Sequence, residues 1–247
     1  MQNPDLSLAK RILPLIDLTN LDETASENQI VNLCQQAITP QGAVAAICIY
    51  PKFIVLAKRL LANTPVKIAT VCNFPTGDSA ITVVTEEIKK SIEAGADEID
   101  VVMPYHDYLE GKITAVSDFI MQCKKTCGET IILKVILETG ALQQPAIIAN
   151  ASRDVILAGA DFIKTSTGKI TIGATLPAAE AMLQTIHDLH LNRTVGFKAS
   201  GGIRTLADAE KYLQLADKIM RPDWVSAKTF RFGASNLLSE IRKIFEN

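Results

Sequence analysis

Asp161-Phe162-Ile163-Lys164-Thr165-Ser166-Thr167-Gly168-Lys169 is the stretch that decides how this sequence folds. Two apolar residues lead into a lysine, and small hydroxyl residues, a glycine and a second lysine follow. The first part predicts a short buried strand over 162–164, the second a polar loop with a permissive backbone. A lysine at the end of a buried strand is costly as a cation. Its neutral amine is a nucleophile toward carbonyls. Lys164 is therefore a candidate Schiff-base residue; the plainer alternative is a strand-end lysine that reaches water or a carboxylate.

Just upstream, Ala158-Gly159-Ala160-Asp161-Phe162-Ile163-Lys164 repeats the pattern of Ala94-Gly95-Ala96-Asp97-Glu98-Ile99-Asp100. In each copy a glycine ends a helix, a tight turn follows and a strand begins. A good turn into a strand accounts for the repeat. It does not account for a charged residue three positions after each Asp, inside an apolar strand.

Outward from there the chain alternates strand and helix. A leading helix is expected over 1–10. Strands are expected over 12–17, 43–49, 67–71, 99–102, 131–136, 162–164, 195–198 and 230–232. Helices are expected over 27–37, 51–61, from about Asp78 to Ala94, then 114–127, 145–158, 176–190, 205–215 and 235–245. Pro51 falls in a favoured first turn, Asp78 is a plausible cap, and Gly128 is a stop signal. Short continuous apolar strands suit a sheet covered on both faces. Eight strand–helix units in 247 residues predict a single domain, 1–247, folded as an α/β (β/α)8 TIM barrel. An open doubly wound sheet is the alternative, but no Gly-x-Gly-x-x-Gly follows the first strand.

Composition excludes several roles. A formal net charge of −2 and the absence of a basic stripe argue against nucleic acid as a partner. No apolar run approaches the roughly 20 residues a membrane span needs. Residues 1–10 lack a signal-type apolar segment, so a soluble, cytoplasmic protein is the expectation. Five cysteines, an odd number without CxxC, read as buried thiols in a reducing compartment. The three histidines are dispersed, so no catalytic metal and no cofactor are expected.

Catalytic groups of barrels stand where strands end at the C-terminal face. The polar residues near predicted strand ends are Asp17, Cys48, Asp100, Lys134, Lys164 and Lys198. Adjacent strands lie about 4.8 Å apart, so Lys164 and Lys198 should be neighbours, with Lys134 on the other flank. Mutual repulsion is expected to press one ammonium toward the neutral form. Asp100 or Asp17 can balance charge and move protons. The alternative is a buried ion-pair network without chemistry. Gly201-Gly202 follows the seventh strand, and Gly233-Ala234-Ser235-Asn236 follows the eighth and opens a helix. Loops at those two places form the usual phosphate site of barrels, and Lys169 could add a point charge.

Phe162-Ile163-Lys164-Thr165-Ser166-Thr167-Gly168, Val195-Gly196-Phe197-Lys198-Ala199-Ser200-Gly201-Gly202-Ile203-Arg204, Glu98-Ile99-Asp100-Val101-Val102, Ala46-Ile47-Cys48-Ile49-Tyr50-Pro51 and Arg231-Phe232-Gly233-Ala234-Ser235 together resemble the deoxyribose-phosphate aldolases. The resemblance runs from about Leu13 to Leu238. It implies a metal-free class I aldolase that reversibly cleaves 2-deoxy-D-ribose 5-phosphate to D-glyceraldehyde 3-phosphate and acetaldehyde, in deoxyribose phosphate catabolism. It implies Lys164 as Schiff-base lysine and Asp100 with Lys198 as the proton donor/acceptor pair. Asp17, Thr19, Cys48, Lys134 and Thr167 would contact substrate. Lys169, Gly201, Gly202, Ser235 and the Asn236 amide would hold phosphate. The implied partners are the sugar phosphate and a second copy of the chain, as a homodimer. Some members have Ser-Ser where this sequence has Ser235-Asn236. Some also use a terminal tyrosine; this sequence ends in Glu246-Asn247, so that assistance would be absent or met by water. The rival readings are another sugar-phosphate barrel enzyme, transaldolase-like or an isomerase, and a non-catalytic sugar-phosphate-binding protein.

Overall fold

In the computed structural model, which describes residues 4–191 and 193–246, eight parallel strands close into a barrel. They are β1 (Ile16–Asn20), β2 (Ala46–Ile49), β3 (Lys67–Cys72), β4 (Glu98–Val102), β5 (Ile132–Ile136), β6 (Phe162–Lys164), β7 (Gly196–Ser200) and β8 (Phe230–Ala234). Each pairs with its sequence neighbours, and β1 closes the ring on β8 through Ile16–Phe232, Asp17–Gly233 and Leu18–Ala234. The principal helices are α1 (Glu27–Gln36), α2 (Ile54–Leu60), α3 (Ile81–Ala94), α4 (Ile113–Cys127), α5 (Pro145–Leu157), α6 (Leu176–Asp188), α7 (Leu206–Met220) and α8 (Leu237–Glu246). The expected (β/α)8 TIM barrel is thus the architecture. No helix among the described residues is long and apolar enough to cross a membrane. All five cysteines are buried free thiols.

The repeated Gly-Ala-Asp has a physical function in both places. Gly95 and Gly159 take φ of +108° and +109°, which lets the chain leave α3 and α5 in the left-handed conformation. Asp97 then accepts the Ile68 N–H of β3 at 2.9 Å, and Asp161 accepts the Leu133 N–H of β5 at 2.8 Å. Each Asp also meets a lysine of an outer helix, Lys58 on α2 or Lys124 on α4. A Cβ on either glycine would press on the stem of that same lysine. The turn therefore fixes where β4 and β6 start relative to the strands before them. That register puts Asp100 and Lys164 inside the barrel.

The expectation for the first strand needs correcting. The leading helix runs over Pro4–Ile12, Leu13–Leu15 form a 3-10 turn, and β1 starts only at Ile16; Met1 to Asn3 of the expected helix lie outside the described residues. Ile12, Leu13, Leu15 and Ile16 are all buried, so one apolar run serves helix end, turn and strand alike. Pro14, which lacks an N–H, lies in the tight turn. Asp78 is not a cap either: α3 begins after Ala80 without a side-chain cap. Asn73 organises that loop, accepting from Ser79 N and donating to Val102 O. A hairpin of Ile38–Thr39 with Gly42–Ala43 and short helices over Tyr105–Leu109 and Thr139–Leu142 also went unread in the sequence.

Most apolar side chains pack between the strands and the helices. A smaller cluster, Leu21, Ala46, Cys48, Ala69 and Val71, fills the barrel on the β2–β3 side. The interior opposite carries charge. Gly196 makes room there for Phe162: a Cβ at 196 would lie 2.3 Å from the Phe162 ring. Gly196→Ala is expected to destabilise the fold by about 1–3 kcal/mol through overpacking. Chemical denaturation would show this as a lower midpoint; an unchanged midpoint would mean that Phe162 moves aside freely.

Candidate active site

Residues two apart on a strand share a face, so Glu98 and Asp100 of β4 both enter the barrel. The register pairs Asp100 with Lys134, Lys164 with Lys198 and Lys198 with Arg231. The outcome is a closed ring of alternating charge. Glu98 meets Lys134 at 2.5 Å, and Lys134 meets Asp100 at 2.8 Å. Asp100 meets Lys198 at 2.7 Å, and Lys198 meets Asp17 at 2.5 Å. Asp17 meets Arg231 at 2.6 Å, and Arg231 returns to Glu98 at 2.9 Å. Three carboxylates and three cations are matched in this ring. Lys164 hangs on it by a single contact, Nζ to Asp100 Oδ2 at 2.9 Å. It shares that oxygen with Lys198.

Burial works against the charges of Asp17, Asp100, Lys134 and Lys198, and partners more than offset it. Lys134, Lys164 and Lys198 hold the Asp100 carboxyl well below its usual range despite its burial. Lys198, Arg231 and Lys134 do the same for Asp17. Asp100 and Asp17 push Lys198 above its ordinary value, and Asp100 with Glu98 push up Lys134. The expected role of Lys198 therefore changes: it is a cation gripped by two carboxylates, and their charge offsets its repulsion of Lys164. What distinguishes Lys164 is that its one ion-pair contact, Asp100, is shared with Lys134 and Lys198.

These shifts fix a pH dependence. Depressed carboxylates contribute stability that is present above their unfolded value and lost as pH falls through the folded one. Raised lysines contribute stability that is present below their unfolded value and lost as pH rises past it. The ring's contribution should therefore be flat from about pH 5 to about pH 9 and decline below about pH 4. Thermal unfolding across that range is the check; a decline that begins near pH 6 would contradict the assignment.

Above the ring a cavity of about 670 Å³ opens at the C-terminal face. Thr19, Lys164, Thr167, Lys169, Gly201, Gly202, Ser235 and Asn236 line it. Asp17, Cys48, Asp100, Lys134 and Lys198 are fully buried beneath it. Lys164 is thus the member of the lysine trio that reaches open space. Burial pushes up the pKa of the Cys48 thiol, which lies in the field of the ring.

The far wall suits an anion. Gly201 and Gly202 take φ of +88° and +91°, and α8 starts just past Asn236. A Cβ on Gly173 would come within 2.5 Å of the Gly201 carbonyl oxygen, so the β6 and β7 loops pack backbone to backbone. Lys169 Nζ donates to the Leu21 carbonyl at 2.7 Å, linking the β6 and β1 loops.

Sequence reading missed Glu98 and Arg231 as members of the charged set. The signal was present: Glu98 lies one strand period before Asp100, and Arg231 interrupts an apolar strand. It also missed Asn20, Asp22 and Arg204 in the cavity wall. Among the described residues, no cluster of three or more His, Cys, Asp or Glu side chains could hold a metal ion.

The sequence matches the model of the DeoC/LacD family of aldolases over residues 12–239. A candidate deoxyribose-phosphate aldolase from Coccidioides immitis is 32% identical, with 95% of this chain and 87% of that one covered and a TM-score of 0.82. The deoxyribose phosphate aldolase of Aeropyrum pernix, a tetramer, is 28% identical over 98% of this chain and 92% of that one, with a TM-score of 0.74. A candidate enzyme from Toxoplasma gondii ME49 shares the fold, with a TM-score of 0.88 at 23% identity, covering 98% of this chain and 97% of that one.

Proposed function

The chain belongs to the DeoC/LacD family of aldolases, and we propose that it reversibly cleaves 2-deoxy-D-ribose 5-phosphate to D-glyceraldehyde 3-phosphate and acetaldehyde through a Schiff base on Lys164. The observation that carries this reading is the position of Lys164. It ends β6, lines the cavity, and has one ion-pair contact, to Asp100, while Lys134, Lys198 and Arg231 each meet at least two carboxylates.

The neutral Lys164 amine attacks the C1 aldehyde of the open-chain sugar, and loss of water gives an iminium that acts as electron sink. Asp100 lies 2.9 Å from Lys164 Nζ and 2.7 Å from Lys198 Nζ, so it can relay protons between the two. Asp100, through a water, takes the C3 hydroxyl proton, and the Lys198 ammonium is the proton donor of the pair. The C2–C3 bond breaks, its electrons pass into the enamine, and glyceraldehyde 3-phosphate leaves. Protonation at C2 and hydrolysis then release acetaldehyde and free Lys164. Gly201, Gly202, Ser235 and the Asn236 amide at the start of α8 would receive the phosphate, with Lys169 as point charge. Thr19 and Thr167 would meet the sugar. Asp17, Cys48 and Lys134 would act from beneath the cavity floor.

Incubation with 2-deoxyribose 5-phosphate should release acetaldehyde and glyceraldehyde 3-phosphate in equal amounts, and a chelator should leave the rate unchanged. An isomerised sugar phosphate without acetaldehyde would replace this reading with an isomerase. Binding without turnover would replace it with a binding protein. Loss of rate on chelation would overturn the metal-free mechanism.

A further inference from the structure

Glu138 is a carboxylate that the reaction scheme leaves idle. It lies two residues past the end of β5, is fully buried, and takes φ 53° and ψ 61°, a conformation uncommon for a non-glycine residue without a compensating contact. The contact is Thr167. The Thr167 hydroxyl donates to Glu138 Oε2 at 2.5 Å, and the Thr167 N–H points at the same carboxylate, 3.3 Å from Oε2 and 3.4 Å from Oε1. Thr167 Oγ1 in turn accepts the Lys169 N–H at 3.0 Å. Burial pushes the Glu138 pKa up, and the hydrogen bonds from Thr167 and the charge of Lys164 oppose this.

The surrounding segment, 165–175, is clamped along both edges. Thr139 N–H donates to the Thr165 carbonyl at 2.8 Å. A Cβ on Gly140 would come 2.2 Å from the Ile172 carbonyl oxygen. On the other edge Ala174 N–H reaches the Ser200 and Gly201 carbonyls at 3.1 and 2.9 Å. Within this clamp Glu138 decides which way the Thr167 hydroxyl points. A hydroxyl has one proton and two lone pairs. Here the proton goes to Glu138 and one lone pair to Lys169 N–H, leaving one lone pair for the cavity that Thr167 lines.

We propose that Glu138 is a positioning residue that fixes the Thr167 hydroxyl as an acceptor, so that the site takes a substrate hydroxyl there and disfavours a ligand offering only a carbonyl or phosphate oxygen. The inference rests on the reading of the cavity as an aldolase pocket for a hydroxyaldehyde phosphate. Glu138 acts through Thr167 and touches no reacting atom.

The test compares Glu138→Ala, Glu138→Gln and Thr167→Val. Loss of this hydrogen bond should raise the KM for 2-deoxyribose 5-phosphate about tenfold or more in Glu138→Ala and in Thr167→Val. The double variant should be no worse than either single one, because both break the same link. Glu138→Gln keeps an acceptor oxygen and should recover most of the affinity. Acetaldehyde carries no hydroxyl, so its borohydride trapping on Lys164 should survive in Glu138→Ala. Additive losses, an unchanged KM in Thr167→Val, or loss of trapping in Glu138→Ala would each overturn the proposal. Hydrogen exchange over 165–175, measured without substrate, should quicken in Glu138→Ala and less in Glu138→Gln. That readout separates the two levels. A wild-type protein without turnover would sink the aldolase reading alone, whereas unchanged exchange in Glu138→Ala would sink the role of Glu138.

Discussion

Lys164→Met should abolish aldol turnover and leave the barrel at least as stable as before. The expected loss in kcat is on the order of 10⁶, the scale reached when a covalent nucleophile is deleted. The stability half of the expectation comes from the ring. Three carboxylates already match Lys134, Lys198 and Arg231, and Lys164 adds a further amine that only shares Asp100. Removing one partner of a buried pair is costly when it leaves the other charge uncompensated; Asp100 keeps Lys134 and Lys198, so this replacement should be neutral or stabilising. Steady-state kinetics and thermal unfolding on one preparation would check both halves. A variant that loses turnover together with its fold would show that Lys164 is structural, and the catalytic assignment would lose its support.

Asp100→Asn should fail in both respects. Asp100 touches all three buried lysines, at 2.8, 2.9 and 2.7 Å. An amide keeps one acceptor oxygen and turns donors toward ammonium groups that are themselves donors. Breaking a buried pair by removing one partner costs about 3–5 kcal/mol, which for a chain of this size lowers the melting temperature by roughly 6–20 °C. Loss of a positioned acid/base should cost a further factor of about 10²–10⁴ in rate. Lys164→Met and Asp100→Asn thus differ in the sign of their effect on stability, which separates nucleophile from hub. An Asp100→Asn protein as stable as wild type would mean that the ring carries little net electrostatic weight.

The barrel was legible because its signals are local and repeated. Apolar runs such as Ala46–Ile49 alternate with helical stretches, and Gly128 stops one of them after Cys127. The Gly-Ala-Asp turns mark where β4 and β6 begin. The start of β1 was not legible, because buried leucines and isoleucines look alike in a helix end, a 3-10 turn and a strand. Three lysines and two acids could be placed near each other from strand order alone. Their pairing could not, since it depends on stagger and tilt across non-adjacent strands. Asp17 reaches Lys198 and Arg231, and Arg231 reaches Glu98 from β8 to β4. The matched ring therefore went unseen, and with it the reason Lys198 is no simple repeller of Lys164. Glu138 was hidden for a different reason. Its left-handed backbone and its bond to Thr167 join residues 29 positions apart, and nothing in either stretch signals the contact.

Borohydride trapping tests the central claim most directly. The protein is incubated with acetaldehyde, reduced, and digested, and the modified peptide is mapped by mass spectrometry. The account predicts one ethyl adduct, on Lys164. An adduct on Lys198 or Lys134, or no adduct in a protein that still binds the sugar phosphate, would contradict it.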